Sequence, residues 1–240
     1  MSLIKNEDYH AQNRTARIAG LVYLSVVLSG IFNLVYVPSK LIVWDDASIT
    51  FNNITTSELL FRMGILSGLI SYVCYIMLPI VLYKLLKPVH KNSAILMVVF
   101  AIISVPISYL NIQNKVDILS LIGHAEYLKV YTTEQLQAQV MLLLESYHNG
   151  ILIVEVFWGL WLFPFGYLVF KSGFLPKALG ILLMIGCFSY LIAVCGELLF
   201  PNYKIPSFVM LPASIGEIGS CLWLLIMGTK KDKSTYVSNS

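Results

Sequence analysis

The chain has 240 residues, 58% of them hydrophobic and 12% charged, with a formal net charge of +3. Soluble domains carry about 25% charged residues, so this composition argues against a water-soluble core and for lipid as the solvent. The basic residues sit in short runs between apolar stretches, which excludes the dense cationic face of a nucleic-acid binder.

Six stretches are long and apolar enough for a membrane helix, which needs about 20 residues. The first runs from about Ile18 to Val37, stopping at Pro38, after a polar tail of residues 1–17. Its apolar run is too long for a signal-peptide core and is expected to be retained. A polar loop follows between Pro38 and Ser57, holding Trp44-Asp45-Asp46 and the sequon pattern Asn53-Ile54-Thr55. Thr55 to Glu58 fits a capping box opening the second stretch, about Leu59 to Leu86.

The third stretch covers about Ala94 to Ile112, and Asp117 to Val130 reads as a short interfacial helix. Thr132-Thr133-Glu134-Gln135 is a capping-box pattern. It opens a single long helix expected from about Thr133 to Phe170, about 57 Å at 1.5 Å per residue. That helix should project on the outer side, with Gly150 and Gly159 as bend points. The fifth stretch is about Ala178 to Phe200 and the sixth about Phe208 to Gly228, with a tail from 229. The expected fold is all-α: a single polytopic bundle of six transmembrane helices over residues 18–228.

Lysine and arginine bias orients such a bundle. Arg14 and Arg17, then Lys84, Lys87 and Lys91, then Lys171 and Lys177, and finally Lys230, Lys231 and Lys233 fall on one side if the count is six. The other side holds Asp45, Asp46, Glu58, Asp117, Glu126 and Glu134 with fewer basic residues: Arg62, Lys115, Lys129 and Lys204. Both termini are therefore expected in the cytoplasm.

Glu155 and Glu217 stand inside stretches that otherwise read as spans. An ionisable side chain in hydrocarbon is costly and by default points to a partner, a wet cavity or a substrate path. Glu217 lies in Pro212-Ala213-Ser214-Ile215-Gly216-Glu217-Ile218-Gly219, where proline and two glycines are expected to weaken the helix. Counting from the basic ends puts Glu155, Glu197, Asn33 and Asn111 in the outer half, suggesting a polar crater open to the outside. For Glu155 the alternative is a carboxyl that joins two helices, with Asn33, a tyrosine or Arg62 as partner.

Glu145-x-x-His148 has the spacing of carboxylate-bridged metal sites. Such sites need two motifs and further carboxylates, so Glu145 and His148 are weak metal candidates beside the plainer reading of a solvated turn. No cofactor is called for. Gly64-x-x-x-Gly68, with Ser67 and Ser71, offers a small face for packing within the chain or between copies in a homo-oligomer. The cysteines Cys74, Cys187, Cys195 and Cys221 lack metal-ligand spacing and read as packing residues.

The run Trp161-Leu162-Phe163-Pro164-Phe165-Gly166-Tyr167-Leu168-Val169-Phe170-Lys171-Ser172-Gly173-Phe174-Leu175-Pro176-Lys177-Ala178-Leu179-Gly180 resembles a stretch of domain of unknown function family 4386. Arg14-x-x-Arg17-Ile18-Ala19-Gly20-Leu21-x-Tyr23-Leu24 is similar to that family too. So is Pro212-Ala213-x-Ile215-Gly216-Glu217, with Leu222-Trp223-Leu224-Leu225 after it. The resemblance implies a six-span protein of the bacterial inner membrane. It implies no reaction.

Two functional readings remain beside a plain scaffold or regulatory subunit. One is a protein that binds or transports a small molecule, lipid or ion at an outward polar site lined by Asn33, Arg62, Glu155, Glu197 and Glu217. The other is an intramembrane lipid-modifying enzyme using His148 with Glu145 and Glu197 as metal ligands or acid–base groups. Against the enzyme, the chain has no Gly-x-Ser-x-Gly, His-Glu-x-x-His or phosphate loop.

Overall fold

The computed structural model describes residues 2–123, 125–203 and 205–229, with side chains from residue 9. Lys204, the basic cluster Lys230, Lys231 and Lys233, and the tail from 230 lie outside these residues. Among the described residues every regular element is helical. In chain order they are α1 (Ser2–Ile31), a π-helical turn (Phe32–Tyr36), α2 (Val37–Leu41), α3 (Ala47–Thr56), α4 (Glu58–Leu86) and α5 (Lys91–Ile122). A 3-10 turn (Glu126–Val130) precedes α6 (Thr133–Leu160), α7 (Leu162–Lys171) and α8 (Lys177–Leu199). A second 3-10 turn (Ser207–Met210) leads into α9 (Leu211–Leu222), and a second π-helical turn (Trp223–Met227) closes the series.

These elements make six helical stretches long and apolar enough to cross a membrane: Tyr9–Leu41, Glu58–Leu86, Lys91–Ile122, Thr133–Lys171, Lys177–Leu199 and Ser207–Met227. Their outer faces carry large apolar side chains such as Leu66, Ile70, Val73 and Met77 on α4, all exposed. In water that would be a liability; against acyl chains it is the required surface. The expected all-α architecture of six long apolar helices is therefore present.

Several boundaries differ from those expected. The first stretch does not stop at Pro38. The π-helical turn carries a Val37 N–H to Phe32 carbonyl bond, and Pro38 then falls in the first turn of α2, where its missing N–H costs little. The segment after it is not all loop. Asp46 caps α3 by accepting from the Ile49 N–H at 2.8 Å, and Thr55 closes that helix, bonding back to Phe51 and Asn52, instead of opening α4.

The third helix runs on to Ile122, because neither proline nor glycine interrupts it between Pro106 and Gly123. Asn111, Lys115 and Asp117 are thus helical, and only Glu126–Val130 of the expected interfacial helix forms a turn of its own. The fourth stretch opens on the expected reciprocal cap. Gln135 N–H donates to Thr132 Oγ1, and Thr132 N–H donates to Gln135 Oε1. The hydrogen-bond ladder of this stretch is interrupted at Trp161, three residues before Pro164, where the backbone stays right-handed helical, so Thr133–Lys171 remains one apolar stretch as expected. Proline removes the bond its N–H would make to the carbonyl four residues earlier, and the last residue of α6, Leu160, holds that position.

The chain divides into two compact units. The first comprises residues up to Leu24, Cys74–Ser104 and those from Glu155; the second comprises Ser25–Val73 and Val105–Val154. In the first unit, small residues bring backbones together. A methyl group built on Gly180 would lie 2.6 Å from both the Gly166 carbonyl oxygen and the Phe170 nitrogen, so α7 and α8 touch backbone to backbone. One built on Gly186 would lie 2.8 Å from Ala213 Cα, which sets the approach of α8 and α9.

In the second unit Gly64 faces Val37, and Gly68 faces Asn33 and Ile112. The small face of α4 is therefore occupied inside the chain, where the sequence also allowed a contact between copies.

Gly180→Val forces these backbones apart and is expected to cost about 1–3 kcal/mol or more, read as a lower melting temperature by fluorescence-detected size exclusion. Gly30→Ala, whose new methyl group meets nothing nearer than Ser71 Oγ at 3.9 Å, is the matched control and should melt no lower than the parent.

Candidate functional site

Glu217 sits in a regular part of α9. Pro212 occupies the first turn of that helix, where it helps to start it, so the expected weakening beside the acid is not found. Gly216 and Gly219 serve close packing instead: methyl groups there would lie 3.0 Å from the Leu183 nitrogen and 2.8 Å from Leu179 Cδ2. The irregular π-helical turn begins only at Trp223.

That packing brings tyrosines to the acid. Long side chains in a helix lean back toward its N-terminus. Tyr190 thus reaches over the turn of α8 that holds Gly186, and Glu217 over the turn of α9 that holds Ala213. Those two turns are the ones in contact. Tyr190 Oη donates to Glu217 Oε2 at 3.2 Å, and Tyr23 Oη, from α1, donates to Oε1 at 3.3 Å. α1 is held there by Gly20, whose backbone lies against that of Leu224 and Leu225.

Two further groups complete the surroundings. Tyr75 is buried within electrostatic reach of Glu217, and its hydroxyl has no hydrogen-bond partner among the described residues. Trp161, fully buried at the break between α6 and α7, stands edge-on to Tyr23 and Tyr75, with ring centroids 6.2 and 5.6 Å apart. The carboxylate itself is half-buried, and no lysine, arginine or histidine among the described residues forms an ion pair with it. An acid held by phenol hydroxyls inside apolar helices can accept a proton or hold a cation.

The other candidates fall in different places. Glu155 is half-buried in the first unit and acts electrostatically on Tyr190. Glu197 is exposed near the end of α8. In the second unit Arg62 is exposed and paired with Glu58 at 2.6 Å, one turn away. Glu145 and His148 are both exposed, and His148 stands edge-on to Trp44 at 5.9 Å. Among the described residues no three histidine, cysteine, aspartate or glutamate side chains gather as a metal site requires, so the spacing of Glu145 and His148 finds no completing ligands.

Asn33 does belong to a polar cluster, but not to that of Glu217. It lies in the π-helical turn after α1, only 1% exposed, and its Oδ1 accepts from Lys115 Nζ at 2.8 Å. Its Nδ2 donates to Tyr147 Oη at 3.3 Å. Lys115, at 3% exposure, lies 4.0 Å from the centre of the Tyr147 ring. Asn111 Nδ2 donates to the Tyr147 carbonyl at 2.8 Å, in space left by the missing side chain of Gly150.

Lys115 escaped the sequence reading because the third span was ended at Ile112. A signal was present: Ala101, Ser104, Ser108, Asn111, Lys115, Ile118 and Ile122 continue one helix face at spacings of three and four. Tyr23, Tyr75 and Tyr190 were missed because nothing in their local sequence separates them from packing tyrosines.

These features define a multi-pass helical membrane protein with polar clusters inside its helix packing. The family model described as Domain of unknown function (DUF4386) matches residues 18–228, and the chain belongs to that family. It is similar to an uncharacterised protein of Archaeoglobus fulgidus, 29% identical over 151 residues that make up 63% of this chain and 75% of that protein. No solved structure matches. The run that carries the resemblance around Gly166 and Gly180 is the backbone contact of α7 and α8.

Arg62→Ala removes only an exposed pair and should change stability by no more than about 0.5 kcal/mol. Trp161→Ala empties a ring-sized volume in the core and should cost about 3–5 kcal/mol. Thermal unfolding of the purified variants in one detergent checks both.

Proposed function

We propose that this protein binds a small cation at Glu217 and carries it through the membrane. The observation that supports this reading best is the carboxylate itself: both oxygens accept from tyrosine hydroxyls, and no described basic residue neutralises it. Charge buried without a counter-charge is costly. A cationic ligand or a proton supplies what the protein leaves out. Tyr75 adds a buried hydroxyl with no hydrogen-bond partner among the described residues, whose oxygen can turn to a cation held by the acid. Glu155, near Tyr190, adds a second acid on the same tyrosine.

In this reading the acid is reached from the outer side, both termini are cytoplasmic, and the membrane is the bacterial inner membrane. The lysine and arginine bias supports the orientation. Alkaline phosphatase fused after the C-terminal residue should be inactive and a green fluorescent fusion there should be bright. The reverse pattern overturns the orientation.

The binding test is equilibrium binding of tetraphenylphosphonium, tetramethylammonium and sodium to purified wild type and Glu217→Gln. Wild type should bind at least one of them saturably. Glu217→Gln should bind it at least tenfold more weakly, about 1.4 kcal/mol, while melting within a few degrees of wild type. If wild type binds none of the three, or if the variant binds as well, Glu217 only joins helices and the scaffold reading takes over.

A further inference from the structure

One buried charge takes no part in the cation site proposed at Glu217. Lys115 is buried on α5 in the second unit, and a buried ammonium without a counter-charge is unfavourable by several kcal/mol. Each acid of that unit is accounted for elsewhere. Asp46 caps α3, Glu58 pairs with Arg62, Asp117 accepts from Gln113, and Glu126 pairs with Lys129. Asp45, Glu134 and Glu145 are exposed. Among the described residues Lys115 forms no ion pair.

What surrounds Lys115 is neutral, polar and built for the purpose. The Asn33 amide oxygen takes one of its three protons, and the Tyr147 ring stands against it at 4.0 Å. Asn33 reaches that position because a π-helical turn carries it and because Gly68 leaves room; a methyl group on Gly68 would lie 2.9 Å from Asn33 Nδ2. Asn111 occupies the space that Gly150 leaves, and Asn114 Nδ2 donates to Asn111 Oδ1 at 3.1 Å. The Tyr147 hydroxyl accepts from Asn33. The Tyr72 hydroxyl lies beside it.

A single ammonium with amide and phenol neighbours, and no acid, matches a ligand with one negative charge. A phosphate monoester carries about −1.5 to −2 at neutral pH and would leave excess charge here. No arginine joins the cluster to offer the paired donors that phosphate recognition favours. We propose that the cluster of Lys115, Asn33, Asn111 and Tyr147 is a binding site for a monovalent carboxylate, whose charge replaces the counter-ion that the protein does not supply. The carboxylate comes either from a water-soluble acid or from the head of a fatty acid. This site is separate from the cation reading of Glu217 and does not depend on it.

The experiment uses the full chain in nanodiscs of phosphatidylcholine, with labelled benzoate and labelled oleate as probes. Wild type should bind a carboxylate saturably, Arg62→Ala should bind it equally, and Lys115→Met should bind about a hundredfold more weakly, as for a lost buried charge pair. Binding of oleate alone identifies the amphiphile as the source. Binding of benzoate as well identifies a water-soluble acid. Absence of saturable binding to wild type overturns the proposal. So does equal binding by Lys115→Met. If Lys115→Met does not fold, Lys115→Gln is measured by the same criteria, and the wild-type result decides alone should neither fold.

Discussion

In lipid, two apolar helices gain little by hiding side chains from one another, because the acyl chains are as apolar as leucine. Their association rests on close contact, and the closest contact is backbone on backbone at residues without bulk. This chain places such residues at the crossings that matter. Gly166 and Gly180 join α7 to α8, Gly186 and Ala213 join α8 to α9, and Gly20 joins α1 to the π-helical turn that follows α9. In the second unit Gly68 and Gly150 each leave a space that an asparagine fills. Both polar clusters follow from these approaches. Tyr190 meets Glu217 because Gly186 meets Ala213, and Asn33 and Asn111 lie inside the packing because Gly68 and Gly150 leave them room.

Each cluster holds a charge that forms no ion pair among the described residues. Glu217 is surrounded by tyrosine hydroxyls, whose protons suit an anion. Lys115 is surrounded by amides and a ring, which suit an ammonium and its visiting anion. Hydrogen bonds to neutral groups offset only part of the cost of burying charge. Keeping such groups inside apolar helices is therefore costly for a structure that has only to stay folded. It is the ordinary arrangement for one that takes up a ligand.

Much of the architecture was legible along the chain. Lengths and apolar content announced six stretches long enough to cross, and the cap of α6 could be read from Thr132 and Gln135 because a capping box is a local device, complete within four residues. Local signals misled where a neighbour decided the outcome. Pro38 looked like a stop and Pro212 like a weak point, yet each sits in a first turn where proline is harmless. Gly150 looked like a hinge, yet its bareness accommodates Asn111. Lys115 looked like a loop residue because polar side chains gathered around it, although the helical spacing of its face ran on to Ile122.

The sequence by itself determined that this is a helical, membrane-type protein with six stretches long and apolar enough to cross, that Glu217 and Glu155 are acids in apolar company, and that the chain resembles an uncharacterised family. These are properties of composition, period and local motif, and each stretch displays them without its neighbours. Which groups meet was decided only in three dimensions. Arg62 turned to Glu58, Asn33 to Lys115 and Glu217 to Tyr23 and Tyr190. The physical reason is that a side chain's partner depends on helix rotation and crossing, which small residues on two separate helices set jointly and neither helix encodes alone.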